Sequence, residues 1–212
     1  MQNFRYALIP LLFFLLFLPA SSVSAAVPDP TEQLKPVVDK VVALLRDADF
    51  RKRPVIDQSE HIVQIVSERF DFREMSKRVM GKQWRTLNTE QQDQFIALFT
   101  KLLQYIYIAQ VDDYVDKEIK FTRQRIKRDR AEVKSLLVSD DKSIPVSYIM
   151  LLKKDTWMAY DIVIEGVSMV RNYMDQISSV LRKDGFPGLV SMLEKKIKEL
   201  ESGEKDEQDH AE

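Results

Sequence analysis

Residues 146–166 read Val146-Ser147-Tyr148-Ile149-Met150-Leu151-Leu152-Lys153-Lys154-Asp155-Thr156-Trp157-Met158-Ala159-Tyr160-Asp161-Ile162-Val163-Ile164-Glu165-Gly166. In the first seven residues both parities are largely apolar, as in a strand with both faces covered. In the second run Met158, Tyr160, Ile162 and Ile164 alternate with a mixed set, so the even residues are expected to face inward. Lys153-Lys154-Asp155-Thr156 is the polar link of a hairpin. Upstream, Ile119 and Phe121 share one strand face, and Val133, Ser135 and Leu137 share another, with Asp140-Asp141-Lys142 as a turn. Residues 117–165 thus read as four antiparallel strands in a meander.

Both flanks read as helix. Asp29-Pro30 is an N-cap followed by proline, and Val37, Val38, Val41, Leu44 and Leu45 then form an apolar stripe that Pro36 either kinks or delays. Pro54 opens a second helix bearing Val55, Ile62, Val66 and Phe70. Asp71 with Glu74 is a capping box for a third, carrying Met75 and Val79 and ending near Gly81. The longest helix is expected over Thr89 to Tyr114. Its apolar positions (Phe95, Phe99, Leu102 and Ile106, widened by Ile96, Leu103 and Tyr107) need cover on more than one side. A central core helix meets that need, and so does a helix with one side on a cavity filled by an apolar ligand. Gly166 to Leu200 reads as helix again. The architecture is α+β: helices packed on a curved, mainly antiparallel four-stranded sheet, an arrangement able to enclose a pocket.

The ends set the compartment. Arg5, an apolar run from Ala7 to Leu18 and the small residues Val23-Ser24-Ala25 form a secretory signal, with cleavage expected after Ala25. The run is about a dozen residues, short of the roughly 20 that span a bilayer. No cysteine is present anywhere, which excludes a lipoprotein anchor and thiolate chemistry. Residues 26–201 are read as a single domain, and the polar, mostly acidic 202–212 as a disordered tail. Without residues 1–25 the chain keeps 31 basic and 33 acidic residues, a net charge of −2 that argues against nucleic acid as a partner.

Catalytic patterns are missing. The two histidines, His61 and His210, sit on a polar helix face and in the tail, and no nucleophile elbow, metal-spaced pair or phosphate-cradling loop occurs. Asp161 and Glu165 share a strand face about 13 Å apart, better placed for capping or pairing than for acid–base work. Lys117 to Lys134 holds eight basic residues against Glu118, Asp129 and Glu132. This run is either a solvated, edge-protecting hairpin or a contact for anionic headgroups or an acidic partner.

Four blocks, in this order and spacing, carry a family resemblance: Phe70-Asp71-Phe72-Arg73-Glu74-Met75 with Gly81 and Trp84, Thr89-Glu90-Gln91-Gln92-Asp93-Gln94-Phe95 with Phe99, Trp157 to Val170, and Gly185-Phe186-Pro187-Gly188-Leu189. Together they resemble the MlaC family, also called the toluene-tolerance or ABC-transporter auxiliary family, over nearly the whole mature chain. The resemblance implies a non-enzymatic periplasmic phospholipid carrier of Gram-negative bacteria, with phospholipid as cargo and no cofactor. It further implies exchange with an inner-membrane ABC transporter complex through its MCE-domain subunit and with an outer-membrane lipoprotein complex, in support of outer-membrane lipid asymmetry. A carrier associated with hopanoid synthesis and a non-catalytic envelope adaptor are the alternatives. A monomer suits a soluble shuttle. An apolar pocket is expected, lined by Phe72, Met75, Val79, Phe99, Leu103, Tyr107, Tyr148, Met150, Tyr160, Ile162, Val167, Val170, Tyr173 and Met174, each of which serves equally as core. Met75, Met150 and Met174 are the adaptable members, and Tyr160 and Tyr173 would offer hydroxyls to a headgroup.

Overall fold

The computed structural model describes residues 27–108, 117–139 and 142–202, with the side chains of Tyr107 and Ile108 left out. The expected export signal, the tail from 203 onward, Asp140-Asp141 and the expected continuation of the long helix to Tyr114 lie outside the described residues.

Helix α1 (Pro30–Arg46) starts where the Asp29-Pro30 signal puts it: the Asp29 carboxylate accepts from the Glu32 amide, and Pro36 is accommodated inside the helix. A short α2 (Ala48–Arg51), which the sequence reading lacks, is capped by Asp47; α3 (Val55–Val66) follows Pro54. In α4 (Phe72–Met80) the Asp71 side chain accepts from the Glu74 amide at 2.9 Å, but the Glu74 carboxylate does not close the box. It pairs instead with Arg78 and Lys77. A 3₁₀ turn (Gly81–Thr86) leads into α5 (Thr89–Ile108). Asp71 also ion-pairs with Lys153 across to the sheet. Asp71→Ala should therefore cost about 1–2 kcal/mol, the usual worth of an N-cap with a partly screened ion pair beside it. The shift of the urea midpoint measures it.

The sheet is β1 (Glu118–Lys127), β2 (Arg130–Val138), β3 (Ser143–Lys153), β4 (Thr156–Ile164) and β5 (Val167–Ser168), in that spatial order and antiparallel throughout. Two corrections to the sequence reading follow. The sheet has five strands rather than four, because two residues after Gly166 fold back on Val163 and Ile164. A pair that short carries no period to read. The even residues of β4 are also not all inward. Ile149 pairs with Asp161 and Met150 with Ala159, so Tyr160 is an inserted residue at a bulge. Beyond it Ile162 and Ile164 face the helices. Before it the inward residues are Trp157 and Ala159, both fully buried. A second bulge at Thr122 breaks the parity of β1 in the same way.

One face of the sheet is covered. Met150, Val133, Ala131 and Tyr148 pack into the main cluster with α4, α5 and the last helix, whereas Ile149 and Leu151 are half-buried and belong to neither hydrophobic cluster. The two-sided apolarity of residues 146–152 therefore reflects one packed face and one open apolar strip. Helix α6 (Met169–Ser202) is broken at Gly185, whose φ of 67° suits glycine, and Gly188 lies so close to Asp184 that a Cβ there would stand 2.3 Å from its Cβ. The start of α6 is held from the sheet: Asp161 accepts from the Val170 amide at 3.0 Å and from Ser168 Oγ at 2.6 Å. The capping role expected for Asp161 is the one it plays.

The end of α6 is fastened to α5. Tyr105 donates its phenol to Glu201 Oε1 at 2.9 Å, and burial first, then the carboxylate, push the phenol from 10.0 up to about 12. The folded protein holds this proton more tightly than the unfolded chain does. The resulting stability is complete below pH 10 and is lost as pH rises towards 12. Circular dichroism should show alkaline unfolding that steepens over this window, and Tyr105→Phe should flatten that step.

Candidate functional site

The hydrophobic interior is divided. A large cluster joins the sheet to Leu34 and Val38 of α1 and to α4, α5 and α6, and a small one joins Leu45, Phe50 and Ile62 of α1, α2 and α3. Between them lies a cavity of about 320 Å³. One wall is the inner stripe of α1 (Val37, Val38, Val41, Val42 and Leu45) with Ile62, Val63 and Val66 of α3. The other is Met75, Leu103 and Phe72 on the α4–α5 side and Ile119, Leu137, Val146, Tyr148, Ile162 and Ile164 from the concave face of the sheet, with Met169 at the start of α6. α1 is spaced from the sheet by polar bonds at its ends. At its start Gln33 binds the Trp157 amide and the Asp155 carbonyl, and at its finish Arg46 donates to the Lys117 carbonyl at 3.1 Å. Between these ties the valines of α1 face the void.

The polar groups on this lining are few: Thr100, Gln104, Lys117, Ser135 and the phenol of Tyr148. Ser135 Oγ donates to the Val146 carbonyl at 3.4 Å, and Gln104 Nε2 donates to Ser59 Oγ at 2.6 Å, joining α5 to α3. Thr100 Oγ1 is buried without a partner. Burial pushes the Tyr148 phenol up, keeping it neutral. Lys117, the residue before β1, is the one charged residue on the described lining. What the chamber offers is mainly apolar surface to an apolar ligand. A wider groove between α3, α5 and the end of α6 shares Thr100 and Gln104 with the cavity and has Glu60, Lys101 and Glu201 on its lining beside Val55, Ile56, Ala97 and Leu200.

Of the expected lining residues, Phe72, Met75, Leu103, Tyr148 and Ile162 are brought together on the cavity. Val79, Phe99 and Met150 are fully buried in the main cluster away from it; Phe99 stacks on Phe95 and meets Tyr173 edge-on at 5.2 Å. Tyr160 is buried beneath the Arg78 guanidinium, 3.7 Å above its ring, so neither it nor Tyr173 offers a hydroxyl to the cavity. Val167 is 63% exposed on β5, and Val170 and Met174 lie on α6 off the lining. The side chain of Tyr107 lies outside the described residues. Sequence reasoning missed the α1 and α3 wall. Its signal was the run of valines on one face of α1, which was read only as the apolar stripe of the first helix.

Residues 35–195 match the model of the MlaC protein family. The chain belongs to the MlaC family. This MlaC-family chain is 23% identical over 124 residues to the intermembrane phospholipid transport system binding protein MlaC of Haemophilus influenzae, an overlap of 55% of this chain and 58% of that protein. The match thus spans little more than half the length of that relative. A solved structure of a phospholipid-binding protein from Ralstonia solanacearum, in complex with a phospholipid, superposes with a TM-score of 0.76 at 26% identity, covering 82% of this chain and 99% of that one. The curved sheet with helices on its concave face is the fold of that phospholipid-binding protein.

Proposed function

We propose that this protein binds a phospholipid by its acyl chains in the cavity between the two hydrophobic clusters and carries it across the periplasm. The supporting observation is an almost wholly apolar chamber, lined by both clusters, in a fold shared with a protein solved in complex with a phospholipid. In this reading the lipid is cargo rather than cofactor, and the protein is a carrier rather than an enzyme. Its partners are an inner-membrane ABC transporter complex with an MCE-domain subunit and an outer-membrane lipoprotein complex, and the traffic maintains outer-membrane lipid asymmetry. The pocket's intrinsic chemistry suits the task. A chain of ~16 carbons buries on the order of 12 kcal/mol of apolar contact, at about 0.8 kcal/mol per methylene. A carrier must match that burial without exceeding it. The cavity is at the small end of ligand pockets, which run from about 300 to 1,000 Å³. Loading a diacyl lipid then means moving the α1–α3 wall away from the sheet, against the packing of Leu34 and Val38 in the same cluster as the strands. Phe72, Met75, Leu103, Tyr148 and Ile162 are the sequence-derived candidates that would touch the chains, joined by the α1 valines. A transfer assay tests this reading: labelled phospholipid should move from donor to acceptor vesicles at a rate that rises with protein concentration. A rate equal to the protein-free control would overturn it.

A further inference from the structure

The register of the sheet sets its outer face in rows. Arg123, Lys134, Ser147 and Val163 form one, Arg125, Glu132, Ile149 and Asp161 the next, and Lys127, Arg130, Leu151 and Met158 the third. The β1–β2 half of this face is therefore basic and the β3–β4 half largely apolar. Arg123, Arg125, Lys127 and Arg130 are all exposed, and none has an acidic partner among the described residues; Lys134 is bridged to Glu132 at 3.3 Å. Ile149, Leu151, Met158 and Val163 are half-buried and packed into neither hydrophobic cluster. The concentration is local, because the chain as a whole sums to −1. We infer that this outer sheet face docks the protein on an anionic lipid surface.

Three features favour a bilayer over a protein partner. The cations are spread along two paired strands, and the depression among Arg123, Gln124, Arg125, Glu132 and Lys134 is only about 100 Å³. That is room for a headgroup phosphate and not for a peptide segment. The apolar strip lies beside the cations rather than beneath them, so both reach a planar interface together: cations at the phosphates, Leu151 and Met158 at the acyl boundary. Any phosphate in the plane satisfies any of the cations, so no precise register with a partner is needed. This docking is independent of what the cavity holds.

Co-sedimentation of the mature protein with vesicles tests it. Vesicles containing phosphatidylglycerol should bind the protein at low salt, pure phosphatidylcholine vesicles should not, and raised salt should release it. Arg123→Gln/Arg125→Gln/Arg130→Gln should weaken binding about a hundredfold, taking roughly 1 kcal/mol, or fivefold, per cation near an anionic surface. All three side chains are exposed, so an unchanged circular dichroism spectrum and thermal midpoint would show that folding is unaffected. A second variant, Leu151→Gln/Met158→Gln, should weaken binding without changing its salt dependence. Absence of binding to anionic vesicles at low salt, equal binding to both vesicle types, or undiminished binding by the arginine variant would each overturn the inference. Charge-dependent capture by an acidic protein without vesicle binding would also overturn it, in favour of a protein interface.

Discussion

Val146→Trp should empty the protein of lipid while leaving it folded. Val146 is half-buried on β3, paired with Ser135 and Ile164, and its side chain lines the cavity. An indole there enters existing space instead of displacing packed neighbours, so the strain of about 1–3 kcal/mol typical of an overfilled core is largely avoided. A β-strand position also accepts the aromatic ring without loss of propensity. The cavity holds only about 320 Å³, and the ring would occupy the part that an acyl chain needs. Extracted lipid per chain should fall about tenfold or more, each tenfold being about 1.4 kcal/mol of lost binding. Val167→Trp is the matching control, because Val167 is 63% exposed on β5 and off the lining, so its lipid content should equal that of the unaltered protein.

Trp157→Ala should be the most destabilising single change in the sheet. The side chain is fully buried, and its indole N–H donates to the Pro28 carbonyl at 2.7 Å, tying the segment before α1 to β4. Truncation forfeits about 3–5 kcal/mol of burial and packing. It also leaves the Pro28 carbonyl without its donor. Against a total stability of about 5–15 kcal/mol this approaches the whole margin for a marginal domain. Equilibrium urea unfolding would read it as a large fall in the midpoint. Trp157→Phe should recover most of the packing and lose the hydrogen bond, about 1 kcal/mol.

The parts legible in the sequence were the local ones. Asp29 with Pro30, Asp71 with the Glu74 amide, and the Lys153–Thr156 link are settled by groups within a few residues of one another, and the structure has each of them. The bulge at Tyr160 is different. It exists because β4 meets β3 out of step, and nothing within β4 announces which residue is surplus. β5 is too short to carry alternation. The cavity was legible only in part for a similar reason. A stripe such as Val37, Val38 and Val41 looks the same whether it meets side chains or a void, and the difference lies in how far α1 is held from the sheet by Gln33 and Arg46. The same ambiguity assigned Val79, Phe99 and Met150 to the lining, when they belong to the packed cluster behind it. The four sequence blocks carried the family, which patterning alone did not reach.

The central claim is that the chamber between the α1–α3 wall and the sheet holds a phospholipid. Protein purified without detergent, extracted with organic solvent and analysed by mass spectrometry, tests it most directly. The expected result is diacyl phospholipid at about one per chain for the unaltered protein and the Val167→Trp control, and little or none for Val146→Trp. Folded protein that yields no phospholipid, or a yield that Val146→Trp leaves unchanged, would contradict it.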